Sequence, residues 1–239
     1  MKKVIILIDG PNLFDVLRYL QLPAIAIFWR KLFYHLLEPG NELLRASLFR
    51  PERVQDTNYG REEIRSQVIA RCFPWYSPAY LRGAFGSIPV AAWEEITQKC
   101  EEIECWIKDK RGVFSEDEYY YDRLCREQTD LEITRKGIIK IDPYTREYGR
   151  EKGVDLALAM EMVTLSGKKQ CDKIILISGD YDYREVINTI RKNGIKIHLV
   201  KFHKDLPERN RYAARDLSLM ADKVINLYES EIRSGFLRQ

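Results

Sequence analysis

Histidine is scarce in this sequence: three among 239 residues, at His35, His198 and His203. They are too scattered for a zinc site or a catalytic triad. No serine sits in a nucleophile-elbow setting, and no GxxxxGK[ST] segment occurs, so acyl transfer on that plan and P-loop nucleotide chemistry both drop out. Five cysteines, Cys72, Cys100, Cys105, Cys125 and Cys171, form an odd set without a CxxC pair, which argues against a disulfide framework and against a zinc ribbon. They read as reduced, mostly buried thiols. No apolar run reaches the roughly 20 residues of a membrane span. The opening "MKKVIILIDGPN" carries only about half of a signal-peptide core and runs into Asp9 without a small-residue cleavage site, so a cytoplasmic protein with no membrane partner is expected. Net charge is also nearly absent. Against 39 Lys and Arg stand 36 Asp and Glu, leaving +3, so any nucleic-acid surface has to be a local patch. No internal repeat or low-complexity linker is visible.

What the chain does have is core-forming material, with 45% hydrophobic residues, arranged as alternating strand and helix patterns. Strand-like runs lie at Val4–Ile8, Leu43–Phe49, around Ile103–Lys108, at Lys173–Ser178 and at Ile195–Phe202. "KGVDLALAMEMVTLSG" predicts a helix over Gly153–Ser166, apolar almost all round and hence sandwiched in the core. "IILISGDYDYREVINTIRKNGIKIHLV" reads as strand, turn, helix and strand, a βαβ unit with a right-handed crossover and parallel strands. The implied class is α/β, a mostly parallel sheet covered on both faces. "LEITRKGIIKID" reads as a hairpin turning near Lys136–Gly137. The expected organisation is a single domain over residues 1–239 with an elaborated insertion at about 72–150.

The acids fall at telling places. Asp9 ends the first strand, Asp180 and Asp182 follow the strand Lys173–Ser178 in "SGDYDY", and Asp155 stands in the first turn of the apolar helix. If the strands are parallel neighbours, their carboxyl ends bring these acids to one crevice. Carboxylates so close repel and desolvate one another unless a cation neutralises them, and hard oxygen ligands suit Mg²⁺ or Mn²⁺. Such an ion promotes phosphodiester hydrolysis by activating water and stabilising developing charge. Asn12, three residues after Asp9, and Ser178 are placed to touch phosphate or water. Glu161 is a weaker ligand, lying about 9 Å of helical rise beyond Asp155. Each acid also has an ordinary reading: Asp9 as a helix cap, Asp155 as a first-turn acid serving the helix dipole, "GDYD" as a plain βα turn. Their coincidence at one expected sheet edge favours the site.

The segments "IDGPNLF", "KGVDLALAMEM" and "ISGDYDYREVI" resemble, in this order, the three motif blocks of NYN-domain proteins, PIN-like nucleases of the LabA-like group. The resemblance implies a three-layer α/β/α PIN-like fold and a divalent-metal-dependent nuclease, usually acting on RNA. It places catalytic and metal-binding roles on Asp9, Asp155, Asp180 and Asp182, with Asn12 beside the first. The chain departs from the pattern at Glu161, where Asp is common, and at Tyr181 and Tyr183, where Ser and Phe are usual.

For the substrate, Arg150, Lys152 and Arg184 flank the acidic blocks, and "KFHKDLPERNRYAAR" supplies Lys201, His203, Lys204, Arg209, Arg211 and Arg215. Tyr119, Tyr120 and Tyr121 could stack on unpaired bases or simply pack. The combined expectation is a Mg²⁺- or Mn²⁺-dependent endoribonuclease acting on single-stranded or looped RNA, with DNA as the other substrate and a homodimer left open. The alternative is a non-catalytic RNA-binding or scaffolding protein that keeps the fold.

Overall fold

The computed structural model describes residues 1–56, 59–127, 130–205 and 215–237, without the side chains of 150, 215 and 216. In chain order the elements are β1 (Lys2–Asp9), α1 (Gly10–Tyr19), α2 (Trp29–Leu36), β2 (Asn41–Arg50), β3 (Arg53–Gln55), α3 (Arg61–Cys72), α4 (Ser77–Leu81), α5 (Val90–Glu127) and β4 (Leu131–Arg135). There follow β5 (Ile138–Asp142), β6 (Glu147–Lys152), α6 (Val154–Gly167), β7 (Lys173–Ile177), α7 (Arg184–Lys192), β8 (Lys196–His203), α8 (Arg215–Met220), β9 (Lys223–Tyr228) and α9 (Glu229–Gly235). They divide into two compact units.

The first unit comprises Met1–Glu52, Glu118–Gly137 and Glu151–Gln239. Its sheet has the order β4-β2-β1-β7-β8-β9, and every strand pair is parallel. The pleat explains the unbroken apolar run of β1. Val4, Ile6 and Ile8 enter a core with Leu13 and Leu17 of α1 and Leu32 and Phe33 of α2. Ile5 and Leu7 enter the opposite core with Leu158 and Met162 of α6 and Ile187 and Ile190 of α7. A strand buried on both faces needs apolar residues at every position, not alternate ones. Each such residue contributes about 1.5–3 kcal/mol by burial. The layers are helix, parallel sheet, helix, consistent with the PIN-like α/β/α fold.

The second unit comprises Arg53–Asp117 and Ile138–Arg150. It is built on α3, α4, much of α5 and the three-stranded sheet β3-β5-β6. Its core is supplied by Ile64, Val68 and Ile69 of α3, Ile96, Cys100, Ile103 and Ile107 of α5, and Val54 and Ile141 of the sheet.

Four expectations are corrected. The segment around Ile103–Lys108 is the interior of α5, because Ile96, Cys100, Ile103 and Ile107 recur at three- and four-residue steps, the helical period. "LEITRKGIIKID" does not fold back on itself: β4 pairs in parallel with β2, and β5 pairs in parallel with β3. Gly137 lies between them with φ +83°, and a Cβ there would stand 2.5 Å from the Lys152 carbonyl oxygen, a close approach that only glycine allows. Helix α6 is not sandwiched, since Leu156 and Met160 are 67% and 59% exposed on its outer face. Only Cys100 and Cys171 are buried among the five free cysteines. Among the described residues no helix is long and apolar enough to cross a membrane.

Candidate active site

β1 and β7 are adjacent and in register, with Ile8 opposite Ile177, so Asp9 and the segment after Ile177 emerge at the same carboxyl edge of the sheet. Helix α6 packs on the same part of the sheet, and its first turn carries Asp155. Oxygen atoms of Asp9, Asp155 and Asp180 consequently lie within 4.8 Å of one another. Asp9 is buried, the other two partly so.

The local backbone explains how Asp9 is held. Gly10 starts α1 directly after the strand, where a Cβ would meet the Phe49 carbonyl oxygen at 2.4 Å, so the chain can pass the end of β2 only as glycine. Pro11 then sits in the first helical turn, where its missing N–H is no loss. Oδ1 of Asp9 accepts from the backbone N–H of Asn12 at 3.2 Å, an ordinary N-cap. Oδ2 accepts from Ser178 Oγ at 2.8 Å. The cap and the site are therefore one carboxylate with two oxygens in different use.

Asn12 and Ser178 knit the β1 and β7 ends together. The amide oxygen of Asn12 accepts from the backbone N–H of Gly179 at 2.8 Å. Ser178, 3% exposed, donates to Asp9 and accepts from the backbone N–H of Asp180 at 3.0 Å. Its hydroxyl thus points into the acid network and leaves little reach toward a substrate. Asp180 in turn accepts from the backbone N–H of Asp182 at 2.9 Å. Asp182 itself is exposed and lies outside the converging group, although its charge is felt at Asp155. Glu161 is also outside it, paired instead with Arg45 of β2.

Electrostatics follow from this crowding. Burial, with added repulsion from Asp155 and Asp180, pushes the Asp9 carboxyl up to about 6 despite the opposing hydrogen bonds from Ser178 and Asn12. Burial and the neighbouring Asp180 also raise Asp155. Among the described residues none of the three acids has an ion-pair partner. Three carboxylates arranged this way, all oxygen donors within reach of one another, fit a small divalent cation.

Of the remaining candidates, Lys152 is exposed three residues before Asp155. Arg184 is held by Glu185 at 2.9 Å and by the Tyr181 hydroxyl, so its charge is partly neutralised. The Arg150 side chain, Arg209, Arg211 and the Arg215 side chain lie outside the described residues. Lys201 is half-buried, His203 meets Asn226 at 2.9 Å, and Lys204 covers the Tyr19 ring at 4.3 Å. Tyr120 and Tyr121 pack against the first core, with Tyr121 under the Arg50 guanidinium, while Tyr119 is 69% exposed. One residue escaped sequence reasoning as a site member. Tyr183, 1% exposed, brings its hydroxyl to 3.4 Å from Asp9 Oδ2 and 3.3 Å from Asp155 Oδ1. Its replacement of a usual Phe was the available signal.

The sequence pattern of the NYN domain family matches residues 85–228, more than half of the chain. An uncharacterized protein, y4oD of Sinorhizobium fredii, is 29% identical over 55 residues, which are 23% of this chain and 26% of that protein. The chain therefore matches about a quarter of the length of this curated relative. A solved structure of a protein of unknown function, VPA0982 from Vibrio parahaemolyticus, aligns with a TM-score of 0.46 at 15% identity, covering 95% of this chain and 93% of that one.

Proposed function

Since the chain belongs to the NYN domain family of PIN-like nucleases, we propose that it is a metal-dependent endoribonuclease acting on single-stranded or looped RNA. The observation that carries this reading is the convergence of Asp9, Asp155 and Asp180 from three separate elements. Mg²⁺ or Mn²⁺ is the proposed cofactor, held by these three acids with Asp182 at the rim. When bound, the ion supplies charge stabilisation at phosphorus and a more acidic water.

The chain's own residues do the rest. Asp9, Asp155 and Asp180 would hold the ion and orient the attacking water between them. Ser178 and Asn12 lock the β1 and β7 ends so that the acids keep their spacing. The side-chain N–H groups of Asn12, with Lys152, Arg150 and Arg184, are proposed to hold the phosphate backbone. In-line attack leaves a 5′-phosphate and a 3′-hydroxyl. The second unit is read as an elaboration of a single NYN/PIN-like domain, and the protein as cytoplasmic.

The test is incubation of labelled single-stranded RNA and DNA with the protein, with Mn²⁺ or with chelator, beside the Asp9→Asn, Asp180→Asn double variant. Cleavage of RNA that needs Mn²⁺ and vanishes in the variant is expected. Cleavage surviving chelation or the double substitution would end the metal-nuclease reading, and binding without cleavage in any condition would identify a scaffold instead.

A further inference from the structure

Tyr183 ends the short turn Tyr181–Tyr183 that follows Asp180, and its ring belongs to the core that contains Leu7, Val154, Leu158, Met162 and Ile187. It is among the largest fully buried side chains of the protein. A phenylalanine would fill nearly the same space without burying a hydroxyl, and a buried hydroxyl is costly unless it is hydrogen-bonded. Among the described residues the partners of this hydroxyl are two acids, Asp9 and Asp155.

The two acids differ in their other support. Asp9 also accepts from the Asn12 N–H and the Ser178 hydroxyl. Asp180 accepts from the Asp182 N–H. For the Asp155 carboxylate, the Tyr183 hydroxyl is the one hydrogen-bond donor among the described residues. Because the ring is buried in this core, the hydroxyl reaches the two carboxylates from within the protein.

We infer that Tyr183 is a positioning residue that tethers the Asp155 carboxylate to Asp9 and thereby sets the geometry of the divalent-cation site. A phenol has one proton and here two acceptors, at 3.3 and 3.4 Å, so one donor is shared between the two acids and links them. The tether does what a second layer of hydrogen bonds does around metal ligands: it fixes their orientation before the ion arrives. The inference rests on the metal reading of the acids for its consequence, but the tether itself is a property of the metal-free protein.

The test has two arms on the full chain. Isothermal titration of Mn²⁺ into the parent and Tyr183→Phe should show affinity about tenfold weaker in the variant, the lower end of the range for losing a supporting hydrogen bond, with unchanged circular dichroism. In chelator, a double-mutant cycle of Tyr183→Phe with Asp155→Ala, read as the unfolding equilibrium constant, should be non-additive: removing the hydroxyl costs more when Asp155 is present. Affinity within twofold of the parent, or an additive cycle, overturns the inference. A parent that binds no Mn²⁺ sinks the proposed function instead, and the metal-free cycle alone then decides the tether.

Discussion

The carboxyl edge of the first unit's sheet treats charge differently from the surface of the second unit. In the second, charged side chains are matched: Arg61 with Glu104, Arg65 with Glu62, Arg111 with Asp56, and Arg146 with Glu102. At the carboxyl edge, three carboxylates come together, and among the described residues none of them has a salt-bridge partner. Surface pairs of the first kind contribute little each and ask for nothing from outside. Unpaired acids held together cost stability in the free protein. The difference is confined to one sheet edge, since elsewhere the first unit also matches its charges, as in Arg45 with Glu161 and Lys223 with Glu38.

The largest expected effect probes the packing side. Ile69, fully buried in the second unit, should cost about 2–5 kcal/mol when replaced by Ala. Denaturant unfolding followed by near-UV dichroism checks it. If the units differ in autonomy as in charge, the variant unfolds in two steps, whereas one sharp transition would break the contrast.

Next comes the cost of the acids. Asp9 titrates near 6 in the folded chain against an ordinary 3.8, so the folded state holds its proton more tightly than the unfolded state. The stability this contributes is complete below pH 4 and lost as pH rises through 6, in total roughly 3 kcal/mol. Metal-free parent should therefore lose stability relative to Asp9→Asn between pH 4 and 6.5, since buried His198, lowered to about 4, adds a rise over the same range in both forms, and Asp9→Asn should be the more stable form at pH 7.5. Thermal melts in chelator across this range decide it. A parent-minus-variant difference that stays constant over that interval contradicts the electrostatic account. Saturating Mn²⁺ should restore the parent's stability at neutral pH and leave Asp9→Asn largely unmoved.

A smaller change tests the backbone at the same edge. Gly10→Ala forces a Cβ against the Phe49 carbonyl and should cost about 1–3 kcal/mol by overpacking, while displacing Asp9. Equal loss of stability with full metal affinity would show that Asp9 does not depend on this approach. The smallest effect is at Glu161. Its pairing with Arg45 is partly exposed, so Glu161→Gln should change stability by about 0–1 kcal/mol and leave Mn²⁺ affinity as it was. A fall in affinity would place Glu161 in the site after all.

Much of the first unit was legible because its signals are local. The runs in β1, β2, β7 and β8, the helix α6 with its first-turn acid, and the "SGDYDY" turn all announce themselves in short windows. The second unit was less so. Isoleucines at Ile103 and Ile107 suggest a strand by residue type, and only the longer spacing back to Ile96 reveals a helix. Lys136–Gly137 has hairpin composition, yet the strands on either side pair with partners in different sheets. Composition marks a turn and does not say where the chain goes next.

By itself the sequence determined the identity of the acids, the order of their motifs and the α/β pattern that sends strand ends to one edge, since periodicity and turn chemistry are written over a few residues. Only the tertiary structure decided that β1 lies beside β7, that Asp9, Asp155 and Asp180 converge while Asp182 stands aside, and that Tyr183 reaches two of them from within the core. Those are contacts between residues as far as 174 positions apart. They depend on which strands pair and how side chains pack, and no local pattern encodes that.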